Sequence, residues 1–296
     1  MDKPTFSIVI PTYNTTDDLK QCIQSLYNQS VDTESFEVLV INDGGKRDFF
    51  KNLDLPNNGF PIRVFSQDHK GPAAARNLGI NNAKGKIILL LDDDSLPTKN
   101  WLNAVTKSWA EFPDFDGIGG YILSNPTDSI YCRVNSDLFN WFLDQNSIDG
   151  NCTFLVSCNA GYKKAILDKV GGFREHFKRA SGEERDLNIR ISKIGGRLRL
   201  DKEILVYHDK ILSFRSFVKK HYNYGRAAYS IYAQYPKKKH LSKKSYINLY
   251  ISILNKYRTI RSKIAVFSLI TFSQIATMVG YYLTMFSIQN QKDPDS

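Results

Sequence analysis

The four cysteines, Cys22, Cys132, Cys152 and Cys158, form no CxxC pair or other metal-ligand spacing. That argues against a zinc knuckle and a disulfide framework, and for a reduced setting. No GxGxxG follows the first apolar run, so the dinucleotide fingerprint of nicotinamide enzymes is missing. There is no internal repeat, and the one low-complexity piece is Lys237-Lys238-Lys239. The opening residues Met1-Asp2-Lys3-Pro4 lack the basic stretch and apolar core of a secretory signal, so a cytosolic location is expected. The longest absence is of charge: residues 264–291 carry none. Ile264 to Ile288 is long enough for a bilayer span, which takes roughly 20 residues. Ser268, Thr271, Ser273, Gln274, Thr277 and Thr284 dilute it, however. A span, a packed helix and a helix lying in the membrane plane all stay open, and the last is the expectation.

Acids are also scarce just before that stretch. Arg197 to Lys263 holds 17 Lys or Arg against 3 acids, while the rest of the chain holds 23 against 27. The net charge of +10 is therefore local. Basic segments meet either nucleic acid or anionic headgroups. Tyrosines among the lysines from Lys219 to Lys239 suit base stacking, but the apolar stretch that follows favours an anionic membrane surface, and no nucleic acid is expected.

With 296 residues and 42% hydrophobic content, the chain can form one large α/β domain or two smaller ones. Phe6 to Pro11 is expected as a buried strand. Thr15 or Thr16 with Asp17 and Asp18 opens a helix to about Gln29. Phe36 to Ile41 and Ile62 to Phe65 are further strands, Gly71-Pro72 opens a helix carrying Arg76, and Ile87 to Leu91 is the fourth strand. Such alternation predicts a parallel, doubly wound sheet. Beyond it, Trp101 to Glu111 is expected as helix, and Gly117 to Leu123 and Cys152 to Ser157 as strands before a turn at Asn159-Ala160-Gly161. Glu183 to Ile194 is expected as helix, Arg197 to Leu200 and Ile204 to Tyr207 as short strands, and the chain after His208 as helical.

What stands out is the run Asp92-Asp93-Asp94, directly after the fourth strand, with no basic neighbour in sequence. Carboxylates just past such a strand lie where open α/β sheets bind ligands. Two of them at i and i+2 can share a hard divalent ion, Mg2+ or Mn2+. A solvated acidic turn capping the next helix is the plainer reading.

Six segments in order resemble the family 2 glycosyltransferases, of the GT-A fold, from about Ser7 to about Arg226. They are Ser7-Ile8-Val9-Ile10-Pro11-Thr12-Tyr13-Asn14, Ile41-Asn42-Asp43-Gly44-Gly45, Gly71 to Gly79 with Arg76-Asn77, Leu91-Asp92-Asp93-Asp94, Cys158 to Lys163, and Gly182-Glu183-Glu184-Arg185-Asp186-Leu187. The resemblance implies a mostly parallel, mixed α/β sheet flanked by helices, with a helical basic C-terminal extension. It implies a catalytic domain over 1–226, with a nucleotide-binding half to about 100 and an acceptor half beyond, followed by a C-terminal region over 227–296. The implied reaction is inverting transfer from a nucleoside diphosphate sugar, UDP- or dTDP-linked, to a hydroxyl of a saccharide, lipid-linked or other acceptor in cell-surface polysaccharide or glycolipid assembly. Mn2+ or Mg2+ is the implied cofactor.

By that resemblance Asp94 binds the metal and His208 completes its shell. Asp92 reaches the ribose or, through water, the metal, and Asp93 is ambiguous. Pro11, Thr12, Tyr13 and Asn14 surround the nucleotide, and Asp43 takes a base-edge N–H. Arg76 and Lys70 face the diphosphate, and Arg226, in a flexible element over Phe214 to Arg226, contacts a phosphate. Asn159, Ala160 and Glu183 sit on the acceptor side. Glu184 stands where the family places an aspartate general base, with Glu183 or Asp186 as alternatives. A phosphatase-type site would place its aspartates after the first strand, not the fourth. An inactive nucleotide-, membrane- or nucleic-acid-binding module on the same fold is the other reading.

Overall fold

The computed structural model describes residues 5–14, 16–30, 35–45, 59–125, 128–177, 182–208, 212–236 and 242–292. Thr15, Asp209 and Lys237-Lys238-Lys239 fall outside them. The chain divides into two compact units, Met1–Leu123 with Leu143–His208, and Ser124–Phe142 with Asp209–Ser296.

The first unit opens with β1 (Phe6–Thr12), α1 (Thr16–Tyr27), β2 (Phe36–Asp43), β3 (Ile62–Gln67), α2 (Pro72–Asn82) and β4 (Ile87–Leu90). β1 and β2 are buried along nearly their whole length, as strands covered by helices on both faces must be. β3, β2, β1 and β4 lie side by side and run parallel. Their carboxyl ends therefore share one edge. Glu37, buried in β2, belongs to this framework: it accepts from Ser7 Oγ at 2.8 Å, Lys84 N at 2.7 Å and Arg63 Nη1 at 3.0 Å. Burial alone would raise its carboxyl, but these donors together hold it below its ordinary value.

After β5 (Leu96–Pro97), α3 (Trp101–Glu111) and β6 (Gly117–Leu123) comes α4 (Ile130–Gln145), which carries no expectation from the sequence and belongs up to Phe142 to the second unit. β7 (Ser147–Ile148), β8 (Asn151–Cys152), β9 (Ala160–Lys163), α5 (Lys164–Val170), α6 (Glu183–Lys193) and β10 (Leu198–Tyr207) complete the unit. The sheet order is β3-β2-β1-β4-β9-β6-β10-β8-β7, with β5 on β10. β9 is antiparallel to both β4 and β6, so the sheet is mixed rather than purely parallel.

Three expectations need correction. Cys152 to Ser157 is not a strand beyond Cys152. Phe154, Leu155 and Val156 are buried on a loop, where Asn188 Nδ2 satisfies the Leu155 carbonyl at 2.8 Å. A side-chain amide thus replaces the ladder that a short apolar run ordinarily requires. Ala160 opens β9 instead of closing a turn. The two strands expected after Gly196 are one, with a register shift between Leu200 and Leu205.

In the second unit, α7 (Phe214–Gln234), α8 (Lys243–Leu254), α9 (Ile260–Lys292) and the first part of α4 enclose a core that includes Val134, Leu138, Trp141, Phe217, Leu249, Ile253 and Ile270. Phe214 to Arg226, expected as a flexible element, is instead the first half of α7, started by a Ser213–Ser216 capping box. A Cβ on Gly225 would collide with the Thr277 carbonyl, and one on Gly280 with the Tyr222 carbonyl, so α7 and α9 touch backbone to backbone.

Candidate active site

Two antiparallel registers pin the aspartate triplet. On the near side β4 pairs with β9, Leu90 facing Ala160, so the register extended two residues sets Asp92 opposite Cys158. On the far side β5 pairs with the end of β10, Leu96 facing Tyr207, which brings His208 back to the same turn. The His208 Nε2 lies 3.3 Å from Asp94 Oδ1 and 3.6 Å from Asp92 Oδ2.

Arg76, from α2, joins this turn to the start of α6. Its Nη2 donates to Asp92 Oδ1 at 2.7 Å and its Nη1 to Glu183 Oε1 at 3.0 Å. The guanidinium is 3% exposed and lies 5.6 Å from the Phe173 ring centroid. Arg76 was expected to face the diphosphate; the structure commits two of its nitrogens to protein carboxylates. Burial would raise the Asp92 carboxyl, but Arg76 and His208 outweigh that and hold it well below the usual carboxylate range. Glu183 goes the other way: burial, then the neighbouring Glu184 carboxylate, push it up against the opposing pull of Arg76.

The donor set fits a divalent cation. The carboxylates of Asp92 and Asp94 each approach the His208 imidazole, at 3.6 and 3.3 Å, partly open to solvent, and such oxygen and nitrogen donors are of the kind a divalent cation takes. The structure thus brings together Asp94, His208 and Asp92, the residues the sequence proposed for the metal. Asp93, half-buried, sits between them in the turn. Cys158, whose sulfur also reaches this cluster, was missed. Its signal was the β4–β9 register, which sequence spacing does not display.

On the nucleotide side Thr12 is buried, Pro11 is half-buried, and Tyr13 and Asn14 are exposed past the end of β1. The Tyr13 ring lies 4.2 Å from that of His69, centroid to centroid and tilted by 30°, an aromatic pair His69 was not expected to join. Asp43 secures the loop into α2. Its Oδ1 accepts from Gln67 Nε2 at 2.7 Å and Lys70 N at 2.9 Å, and its Oδ2 from Gly71 N at 2.9 Å. Gly71 can make that turn because its φ of 95° is open to glycine. The Lys70 side chain is exposed.

On the acceptor side the carboxylates have separate duties. Asp186 is fully buried and ion-paired with Arg190 Nε at 2.7 Å and Arg174 Nη1 at 3.2 Å. Glu183 is 1% exposed and held by Arg76. Glu184 is half-buried, with Oε2 3.3 Å from the Gly182 N–H. Asn159 reaches the expected edge, but its amide is engaged: Oδ1 accepts from Trp101 Nε1 at 2.9 Å, and Nδ2 donates to the carbonyls of Tyr121 and Ile204 at 3.0 and 3.1 Å. Ala160 is buried beside it in β9. Arg226 lies on α7 in the second unit.

The chain is 40% identical over 105 residues to an uncharacterized glycosyltransferase of Rickettsia bellii, covering 36% of this chain but 15% of that protein. It is 23% identical over 233 residues to the glycosyltransferase AglE of Haloferax volcanii, covering 77% and 74% of the two chains. In structure it resembles the mannosyltransferase PcManGT from Pyrobaculum calidifontis, solved with GDP-Man and Mn2+, with a TM-score of 0.64, 14% identity and coverage of 99% of this chain and 88% of that one. The architecture is thus the expected GT-A type. Residues 7–171 match the profile of Glycosyl transferase family 2, more than half of the 296 residues, and the chain belongs to that family.

Proposed function

We propose that the chain is an inverting, metal-dependent glycosyltransferase that moves a sugar from a nucleoside diphosphate donor to an acceptor hydroxyl. One observation carries this reading: the buried Arg76 guanidinium ties Asp92 to Glu183, so the acidic turn and the paired glutamates of α6 are parts of one site. Asp94 and His208, with Asp92, would hold Mn2+ or Mg2+, and the chemistry supplied there would be Lewis-acid stabilisation of the leaving diphosphate. Tyr13 and His69 offer a face to the base, and Asp43 shapes the loop beside it. Glu184 takes the acceptor proton, because its neighbours Glu183 and Asp186 are committed to arginines. Incubation with a panel of UDP-, dTDP- and GDP-sugars and Mn2+ tests the reading. Release of nucleoside diphosphate that stops on chelation is expected; no release from any donor, with or without metal, favours the inactive module.

We place the reaction at the cytosolic face of a membrane, with a saccharide or lipid-linked acceptor in cell-surface polymer assembly. The support is the second unit. An 18-residue stretch within Ile260–Ile288 of α9 has a mean hydropathy of 1.6, and 33% of that stretch is buried. Ile264, Phe267, Ile275, Met278, Leu283 and Phe286 are each more than half exposed. Residues 212–292 contain no acid, and Arg258, Arg261 and Lys263 border the apolar face. Because α9 packs along the polar helix α7, a helix lying in the interface suits it better than a span. Anionic vesicles are expected to sediment the protein, and Ile275→Asp/Met278→Asp/Phe286→Asp to weaken that by well over tenfold, each buried side chain being worth about 1.5–3 kcal/mol. Binding unchanged in the triple variant contradicts the assignment.

A further inference from the structure

The acidic edge holds a donor that a Mn2+ or Mg2+ site does not call for. Among the described residues, one ligand atom from each of Asp92, Cys158 and His208 lies within 4.8 Å of the other two. The arrangement is built from both sides of the triplet. The β4–β9 ladder ends at Leu90 and Ala160, two residues short of Asp92 and Cys158 on the two chains, and the β5–β10 ladder returns His208 to the same turn. Cys158 is 2% exposed, and its position inside the edge keeps its sulfur among polar ligands rather than in bulk solvent.

A carboxylate, an imidazole and a thiolate make a borderline-to-soft set. Such sets favour Zn2+ and its close relatives, whereas Mg2+ and Mn2+ favour oxygen. We propose that Asp92, Cys158 and His208 form a site for a thiophilic divalent cation, with Zn2+ as the type. It overlaps the position held through Asp94 and His208, so the two ions compete. The inference rests on the metal reading of the proposed function and adds a second occupant to it. On binding, the Cys158 S–H bond breaks, a sulfur–metal bond forms, and the proton leaves to solvent; no oxidant or reductant is involved. Zn2+ bound this way takes Asp92 and His208 out of the donor site, so it opposes Mn2+ rather than replacing it in catalysis.

Full-length protein freed of metal and titrated with Co2+ supplies a readout independent of turnover. The wild type is expected to develop a near-ultraviolet thiolate-to-cobalt charge-transfer band at one equivalent, which Zn2+ abolishes. In Cys158→Ser the band is expected to vanish while weak visible Co2+ bands persist. Zn2+ should also bind that variant more than about tenfold less tightly, since even outer-shell partners of a metal are worth about 10–100-fold. Visible cobalt bands without a thiolate band in the wild type overturn this inference and leave the metal reading standing. A thiolate band that survives in Cys158→Ser overturns it too, by assigning the sulfur to another cysteine. No Co2+ uptake at all defeats the metal reading together with this one. The wild-type spectrum decides whether a thiolate ligates even if the variant folds poorly.

Discussion

Glu184→Gln is expected to lower kcat by about 10²–10⁴-fold, the usual worth of a positioned general base, while leaving donor affinity within a factor of a few. The substitution keeps the size and the contact with the Gly182 N–H but removes the ability to take a proton. Three carboxylates crowd the start of α6, and acids there also favour the helix dipole, so sequence alone does not choose among them. Geometry does. Asp186 spends its oxygens on Arg190 and Arg174, and Glu183 is buried against Arg76, which leaves Glu184 as the partly open carboxylate. Steady-state kinetics of Glu184→Gln beside Glu183→Gln separates the roles. Near-normal turnover in Glu184→Gln, with loss in Glu183→Gln, moves the base to Glu183.

Arg76→Ala is expected to destabilise the protein by about 3–5 kcal/mol, the cost of stranding the buried Glu183 carboxylate and the half-buried Asp92 by deleting their partner. Arg76→Lys should recover only part of this, since one ammonium cannot hold two carboxylates as a planar fork does. The deficit should also depend on pH, and both carboxylates give it the same sign. Asp92 is depressed in the folded protein, so its contribution is present above the unfolded value of about 3.9 and is lost as pH falls. Glu183 is raised, so its contribution is present below about 4.3 and is lost as pH rises through its folded value. Without Arg76 the first gain disappears and the second loss deepens. From pH 4 to pH 8 the Asp92 gain is already in place and Glu183 sets the slope, so thermal unfolding should show the gap between wild type and Arg76→Ala widening with pH. A gap that is constant, or that narrows toward pH 8, contradicts the triad.

The parallel half was legible because its strands are short apolar runs ending in polar loops, as at Phe36 to Asp43, and because Asp43 and the aspartate triplet stand at such ends. The antiparallel insertion of β9 was not, since Ala160-Gly161-Tyr162-Lys163 has neither alternation nor a long apolar run, and its place between β4 and β6 comes from tertiary pairing. Just beyond the end of that pairing Cys158 comes within 4.8 Å of Asp92, ligand atom to ligand atom. Arg76 was legible as a site residue but not in its contacts, because its partners lie 16 and 107 residues away. The loop over Phe154 to Val156 departs from a strand for a related reason: its residues are buried, but Asn188, a distant side chain, takes the place of a neighbouring strand.

On the proposed function, the edge formed by Asp92, Asp94 and His208 binds a diphosphate through a divalent ion. Calorimetric titration of UDP and GDP into the wild type and Asp94→Asn, with Mn2+ and after chelation, is the decisive measurement. At least one nucleotide is expected to bind the wild type with Mn2+, with binding lost on chelation and lost in Asp94→Asn at unchanged thermal stability. Nucleotide binding that is equally tight without metal, or that survives intact in Asp94→Asn, overturns the assignment.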